Sequence, residues 1–302
     1  METQDTLKSH PAKIYVEPTN LCNLMCRTCI RNVWDEPPGQ MNTATFARIL
    51  DSLRDFSPLP AVFFGGFGEP LSHPDMINMV AQVKAVGAVA ELITNGTFLS
   101  EARAHDLIAA GLDRLWISLD GATPESYTDV RLGAALPGVL TNLARLRDLR
   151  NGSGPEIGIV FVAMKRNIAD LPALLRMARD LGAAQFMVTN VLPHTLELCA
   201  EVLYARALSN GEHRRMPGLP HLSLPQMDAS VLSALLPAIQ DSWDITESWD
   251  YPDKVEDRCP FIEDGTMTVG WNGDVSPCLS LLHSHTSYLH GVERSVRRYI
   301  VG

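Results

Sequence analysis

No run of eighteen apolar residues occurs in the 302-residue sequence, so no membrane-spanning helix is predicted. The opening stretch, Met1 to Pro11, is polar and lacks the apolar centre of a secretory signal, which points to the cytoplasm. Basic residues are in deficit: 25 Lys and Arg stand against 35 Asp and Glu, for a net charge of −10. A general nucleic-acid binder needs the opposite field. Low-complexity tracts are missing, and so are tandem repeats of the solenoid kind. Cysteine is scarce, six in all, and in a reducing compartment such residues serve metals or catalysis rather than disulfides. What the sequence does have is a core: 46% of it is hydrophobic and only 20% charged, against the composition of a disordered chain. Its length suits one large α/β domain, or one domain with a small appendage.

From Lys13 to Asn190, short β-like runs alternate with amphipathic stretches. The strand candidates are Lys13–Glu17, Ala61–Gly65, Ala88–Thr94, Arg114–Leu119, Glu156–Ala163 and Ala184–Thr189. Helical periods lie between them: Phe46, Ile49, Leu50 and Leu53 after a Thr43 cap, then Met76, Met79, Val80 and Val83 before Gly87. A third helix runs from Ser100 to Gly111, a later one carries Val139, Leu140, Leu143 and Leu146, and the last holds Leu174, Leu175 and Ala178 before Gly182. Six βα units predict a parallel sheet with right-handed crossovers. A closed barrel takes eight. The expected fold is therefore α/β, a partial, open (β/α)6 barrel over residues 13–192, after a tail of residues 1–12. Residues 193–258 read as a helical linker, with helices at Pro193–Ser209 and Gln226–Gln240, a loop at Gly211–Pro225 and an aperiodic acidic stretch at Trp243–Asp257. Residues 259–302 form a separate segment. In it, Thr266–Val269 and Asp274–Ser276 flank the hairpin-turn signal Trp271-Asn272-Gly273.

Three of the cysteines, Cys22, Cys26 and Cys29, fall within eight residues just after the first strand. Thiolates are iron–sulfur ligands, whereas a structural zinc site takes four ligands. A cubane held by three would keep one iron open to the amino and carboxylate groups of an amino acid. The alternatives are a zinc knuckle or three incidental buried thiols. Strand two ends in Phe63-Phe64-Gly65-Gly66-Phe67-Gly68-Glu69-Pro70, strand three in Thr94-Asn95-Gly96, and strand four in Ser118-Leu119-Asp120-Gly121. The C-terminal ends of parallel strands are where such a sheet places its active site.

These residues resemble the radical SAM superfamily, whose Gly-Gly-Glu-Pro motif is similar to Gly65-Gly66-Phe67-Gly68-Glu69-Pro70 with Phe-Gly inserted. The resemblance implies a [4Fe–4S] cluster on Cys22, Cys26 and Cys29. It implies S-adenosylmethionine (SAM) bound beside it by Gly66, Gly68, Glu69, Asn95, Ser118, Asp120 and Arg131, and reductive cleavage to a 5′-deoxyadenosyl radical. In that scheme Glu69 accepts from the methionyl ammonium. Ser118, and after it Asp120, contacts the ribose or the methionyl end. Arg131 sits near the SAM carboxylate, unless it serves a salt bridge or the surface. One residue departs from the family pattern: Thr28 stands where an aromatic usually packs near the adenine, and Trp34 and Phe67 are the nearby rings available to replace it.

At the far end, Cys259, thirteen residues, Gly273, four residues and Cys278 resemble the opening half of a SPASM or twitch domain, which binds auxiliary clusters. The full pattern has five further cysteines that do not follow here, so the segment is truncated, shortened or free of a cluster. Cys199 is either another ligand or a buried thiol. His283, His285 and His290 form a polar loop or a mixed metal site, and His73 is a loop residue or a proton donor. The runs Cys26–Glu36, Phe64–Pro74 and Thr189–Thr195 are similar to the maturases associated with tungsten-containing aldehyde ferredoxin oxidoreductases. Partners implied are an electron donor of the ferredoxin or flavodoxin type and a tungsten oxidoreductase or its cofactor. The alternatives are a peptide- or protein-modifying radical SAM maturase and, from another class, a non-catalytic iron–sulfur or zinc module.

Overall fold

In a computed structural model, residues 10–152, 154–203, 221–223, 261, 265–289 and 291–302 are described. The strands β1 (Lys13–Val16), β2 (Ala61–Phe64), β3 (Ala90–Thr94), β4 (Arg114–Ser118), β5 (Glu156–Ala163) and β6 (Gln185–Asn190) pair in parallel, each beside its predecessor in sequence. The order never reverses, as it would in a doubly wound sheet. Continuous sequential order is that of a barrel, and β6 and β1 do not close on each other among the described residues, so the barrel is partial. This agrees with the α/β (β/α)6 expectation.

Three further strands extend the sheet at its two ends. β7 (His221–Ser223) pairs with β6, and β8 (Thr266–Val269) pairs in parallel with β1 and antiparallel with β9 (Val275–Ser276). The predicted hairpin about Trp271-Asn272-Gly273 is therefore present, with Gly273 at φ +95° in its turn. Its parallel seat on β1 is a tertiary pairing that local sequence does not encode. β7 lies within the predicted loop Gly211–Pro225. At three residues it is too short to display a period of two, and backbone pairing along the β6 edge is what defines it. β10 (His285–Leu289) and β11 (Val292–Val296) make a separate antiparallel pair.

Helices cover the sheet: α1 (Thr43–Leu53), α2 (Met76–Ala85), α3 (Glu101–Ala109), α4 (Pro124–Val130), α5 (Leu136–Arg150) and α6 (Leu171–Asp180). Their buried faces carry Phe46, Leu50 and Leu53, then Met76, Met79, Val80 and Val83, then Val139, Leu143 and Leu146, as the 3.6-residue period requires. The cap of α1 is Asn42 rather than Thr43, because the Asn42 side chain accepts from the Thr45 amide. α7 (Leu196–Glu201) is shorter than the predicted Pro193–Ser209 helix. Val202 turns to extended backbone, and the end is tied off by the Lys165 amide on the Glu201 carbonyl. The predicted helix at 226–240 and the stretch 243–257 lie outside the described residues. No described helix is long and apolar enough to cross a membrane.

Candidate active site

The cysteine loop leaves β1 through buried polar residues rather than apolar ones. Thr19 donates its hydroxyl to the Gly39 carbonyl (2.7 Å). Asn20 clamps the same return segment from both sides, donating to the Pro37 carbonyl and accepting from the Gly39 amide, each at 2.8 Å. Such fully paired buried groups hold a loop in one shape. The far side of the loop lies along the segment after α4: the Met25 amide donates to the Leu132 carbonyl and the Arg27 amide to the Val130 carbonyl. Cys29 then starts a 3-10 turn, Ile30–Val33.

Cys22, Cys26 and Cys29 line one cavity of about 190 Å³ with Gly66, Gly68, Glu69, Asn95 and Ser118, at the ends of β2, β3 and β4, and Arg131, at the C-terminus of α4. Thus every predicted residue of this set converges except Asp120. That side chain is fully buried behind the cavity: one oxygen accepts from the Val162 amide (2.8 Å) and the other holds the Arg131 guanidinium at 2.5 Å. Arg131 is salt-bridged, as one of its expected roles has it, and it also faces the cavity, with Nη1 3.7 Å from Cys26 Sγ. Burial by itself would lower the Arg131 pKa, but the Asp120 charge outweighs it and holds the guanidinium firmly charged.

Glu69 is almost wholly buried. Its Oε1 accepts from Thr94 Oγ1 (2.6 Å) and the Leu71 amide (2.9 Å), and its Oε2 from the Asn95 amide (2.8 Å). Burial raises its pKa and these three donors oppose the rise. Oε2 keeps a free acceptor position. Asn95 spans β3 and the cysteine loop, donating to Asn23 Oδ1 (3.0 Å) and approaching Cys22 Sγ at 3.9 Å. Burial pushes the Cys22 thiol up, and the Cys29 thiol up to about 11.

Glycine at position 68 is a packing requirement. A methyl group there would collide with the Thr19 backbone carbonyl and lie 2.7 Å from the Leu21 carbonyl oxygen. Backbone cannot step aside as a side chain can, so Gly68→Ala must displace the cysteine loop or the Glu69 loop. We expect it to abolish activity at the cavity while costing about 1–3 kcal/mol of stability. Product assay beside a denaturant melt checks this.

Arg31, Leu24 and Ile93 also line the cavity and were not predicted. Arg31 lowers the thiol pKa values by its charge, and its only sequence signal is a cation two residues past Cys29. His73 is not a proton donor to the site: both ring nitrogens are engaged, with the Met41 carbonyl and the Asp75 amide. His283 does not belong to a polar loop. It is buried, with Nε2 2.7 Å from Glu17 Oε2. Cys278 lies outside the cavity, Cys199 is half-buried, and Cys259 and His290 fall outside the described residues. No three described His, Cys, Asp or Glu side chains are placed to hold a single metal ion. The donor set nevertheless suits a thiolate-held cluster. Three thiols face one cavity, the Leu24 amide points at Cys22 Sγ (3.4 Å), and two arginines stand by to balance negative charge.

The fold is a partial parallel barrel with a thiol-lined cavity at its strand ends, and comparison with known proteins assigns it to a class of enzymes. The chain belongs to the radical SAM superfamily, an enzyme superfamily whose family model matches residues 16–178. Across 96% of its length it is 30% identical to the tungsten-containing aldehyde ferredoxin oxidoreductase cofactor-modifying protein of Pyrococcus furiosus, covering 77% of that protein. It is 28% identical over 61% of its length to the PqqA peptide cyclase of Gluconobacter oxydans, of which it spans about half (51%). In fold it is similar to Streptococcus suis SuiB bound to its precursor peptide SuiA. The TM-score is 0.65 at 15% identity, with 92% of this chain and 62% of that chain covered.

Proposed function

We propose that this enzyme binds a [4Fe–4S] cluster through Cys22, Cys26 and Cys29 and SAM beside it, and uses them for radical maturation chemistry. The observation that carries this is the sharing of one cavity by the three thiols with Gly66, Gly68, Glu69, Asn95, Ser118 and Arg131. Cys22, Cys26 and Cys29 would hold the cluster, which when bound would supply the one-electron reduction that cleaves SAM and starts radical chemistry. The chain's own residues bind and orient. Glu69 offers its free Oε2 position to an ammonium group. Arg131, fixed by Asp120, offers guanidinium N–H groups to a carboxylate. Asp120 itself acts through Arg131 rather than by touching SAM. Ser118 and Asn95 supply hydroxyl and amide groups at the strand ends.

Identity to the Pyrococcus protein over nearly the whole chain supports a substrate in the maturation of a tungsten oxidoreductase or its cofactor. The second reading, modification of a peptide or protein, is supported by the PqqA peptide cyclase relative. Either reading takes a cytoplasmic electron donor of the ferredoxin or flavodoxin type. Cys259 and Cys278 are candidate ligands of an auxiliary cluster.

Anaerobic reconstitution tests the proposal. Expected are a brown protein with about four irons per chain, a SAM-dependent spectral change and 5′-deoxyadenosine on reduction. About eight irons would establish the auxiliary cluster. A colourless protein holding stoichiometric zinc would replace the enzyme reading with a metal module.

A further inference from the structure

Beyond the pairing of β8 with β1, the C-terminal segment makes a deep contact with the front of the barrel. Glu17, the residue after β1, is fully buried, and its two carboxylate oxygens point in different directions. Oε1 accepts the Phe67 amide at 3.0 Å. Oε2 meets His283 Nε2 at 2.7 Å, across 266 positions of sequence. Phe67 is the middle residue of the Gly66–Gly68 loop that walls the cavity, and its carbonyl lies 4.0 Å from Cys29 Sγ. No room separates the carboxylate from that loop: a methyl group on Gly66 would fall 2.6 Å from Glu17 Cγ. The His283 ring is also the centre of an aromatic group. It stands edge-to-face with Trp34 (4.6 Å) and Phe67 (5.9 Å), and those two rings are 5.4 Å apart. Trp34 closes the 3-10 turn that begins at Cys29. The remaining ring nitrogen, Nδ1, makes no hydrogen bond and lies 3.9 Å from Glu36 Oε2.

We propose that His283 is a positioning residue of the SAM cavity: by donating to Glu17 it holds that carboxylate on the Phe67 amide, and so fixes the loop facing Cys29. The chemistry follows from charge and burial. A carboxylate with no solvent must have both oxygens satisfied or lose its charge. Without the His283 donor, Oε2 is left buried and unpaired, and the carboxylate is no longer held against the Phe67 amide. The segment after β8 is then a working part of the cavity, although the residues matched by the family model end at 178. This inference rests on the proposed binding of SAM in that cavity.

Two variants separate the hydrogen bond from the packing. His283→Gln keeps a side-chain N–H donor without the ring. His283→Phe keeps the ring against Trp34 and Phe67 without the donor. With reconstituted holoenzyme, SAM affinity is measured from the change in the cluster's electron paramagnetic resonance signal on titration, alongside iron content and amide exchange at residues 65–68. Expected for the Phe variant are unchanged iron, faster exchange in that loop and SAM binding weakened about tenfold, the scale of a hydrogen bond lost from a buried charge. The Gln variant should stay within about threefold of wild type. Wild-type SAM affinity in the Phe variant overturns the proposal. Equal loss in both variants does so too, as does failure of both to fold, since the ring would then serve packing alone. Absence of any SAM response in the wild type removes the underlying reading instead.

Discussion

Replacing Cys22, Cys26 and Cys29 together with alanine is expected to reduce 5′-deoxyadenosine formation to background, with iron content falling to near zero. The fold should survive. The thiols line a cavity rather than cross-link the core, so their removal costs stability on the ordinary scale of small side-chain truncations, roughly 1 kcal/mol each. Burial raises the Cys22 and Cys29 pKa values by more than Arg31 and the nearby backbone amides lower them. A bound metal centre would supply the further positive charge that thiolates need there. Chromatography of the reaction after anaerobic reconstitution, with circular dichroism as the fold control, decides the matter. SAM-dependent product persisting in the triple variant would remove the cluster from the mechanism.

The second large effect concerns a residue that does not touch the cavity. Asp120→Ala leaves the Arg131 guanidinium buried with its carboxylate gone and strands the Val162 amide as well. Breaking one side of a buried pair in this way costs about 3–5 kcal/mol. The measurement is the shift in denaturant midpoint at unchanged slope. A control separates stability from function. Asp120→Ala combined with Arg131→Met removes both charges, and paired apolar replacement is often neutral or better for stability. The double variant should regain most of the lost stability without regaining SAM binding, because the cation offered to the SAM carboxylate is absent. Full recovery of both would show that Arg131 has no part in binding.

The six barrel strands were legible because each is a short apolar run bounded by a glycine or a cap, and helical periods of buried residues lie between them. The cavity was legible for the same reason: parallel strands put their C-terminal ends at one edge, so Glu69, Asn95 and Ser118 had to meet the loop after β1. What escaped depended on side-chain direction or distant pairing. Ser118 and Asp120 are two polar residues of one strand end, and composition does not tell which faces the mouth. The strand stops at Ser118, and Asp120 turns inward to the β5 side, onto the Val162 amide. His283 carries no period and no motif. Only its partner across the molecule gives it meaning, so it read as one histidine of a polar loop. α4 was within reach, since Thr123 followed by Pro124 is a start signal. At seven residues it shows too little apolar period to stand out.

The pairing of β8 with β1 has a consequence for how the protein is made. Val16 and Val269 share a register, so one side of the first strand stays bare until residues some 250 positions later have been synthesised. At ordinary translation rates that delay is on the order of 10–50 s. Throughout it the three cysteines, which emerge within moments of β1, lie in a loop that follows a strand with an open edge. A thiol cluster exposed for that interval is vulnerable to oxidation and to the wrong metal. The loop after β1 gains its last backbone support late in synthesis.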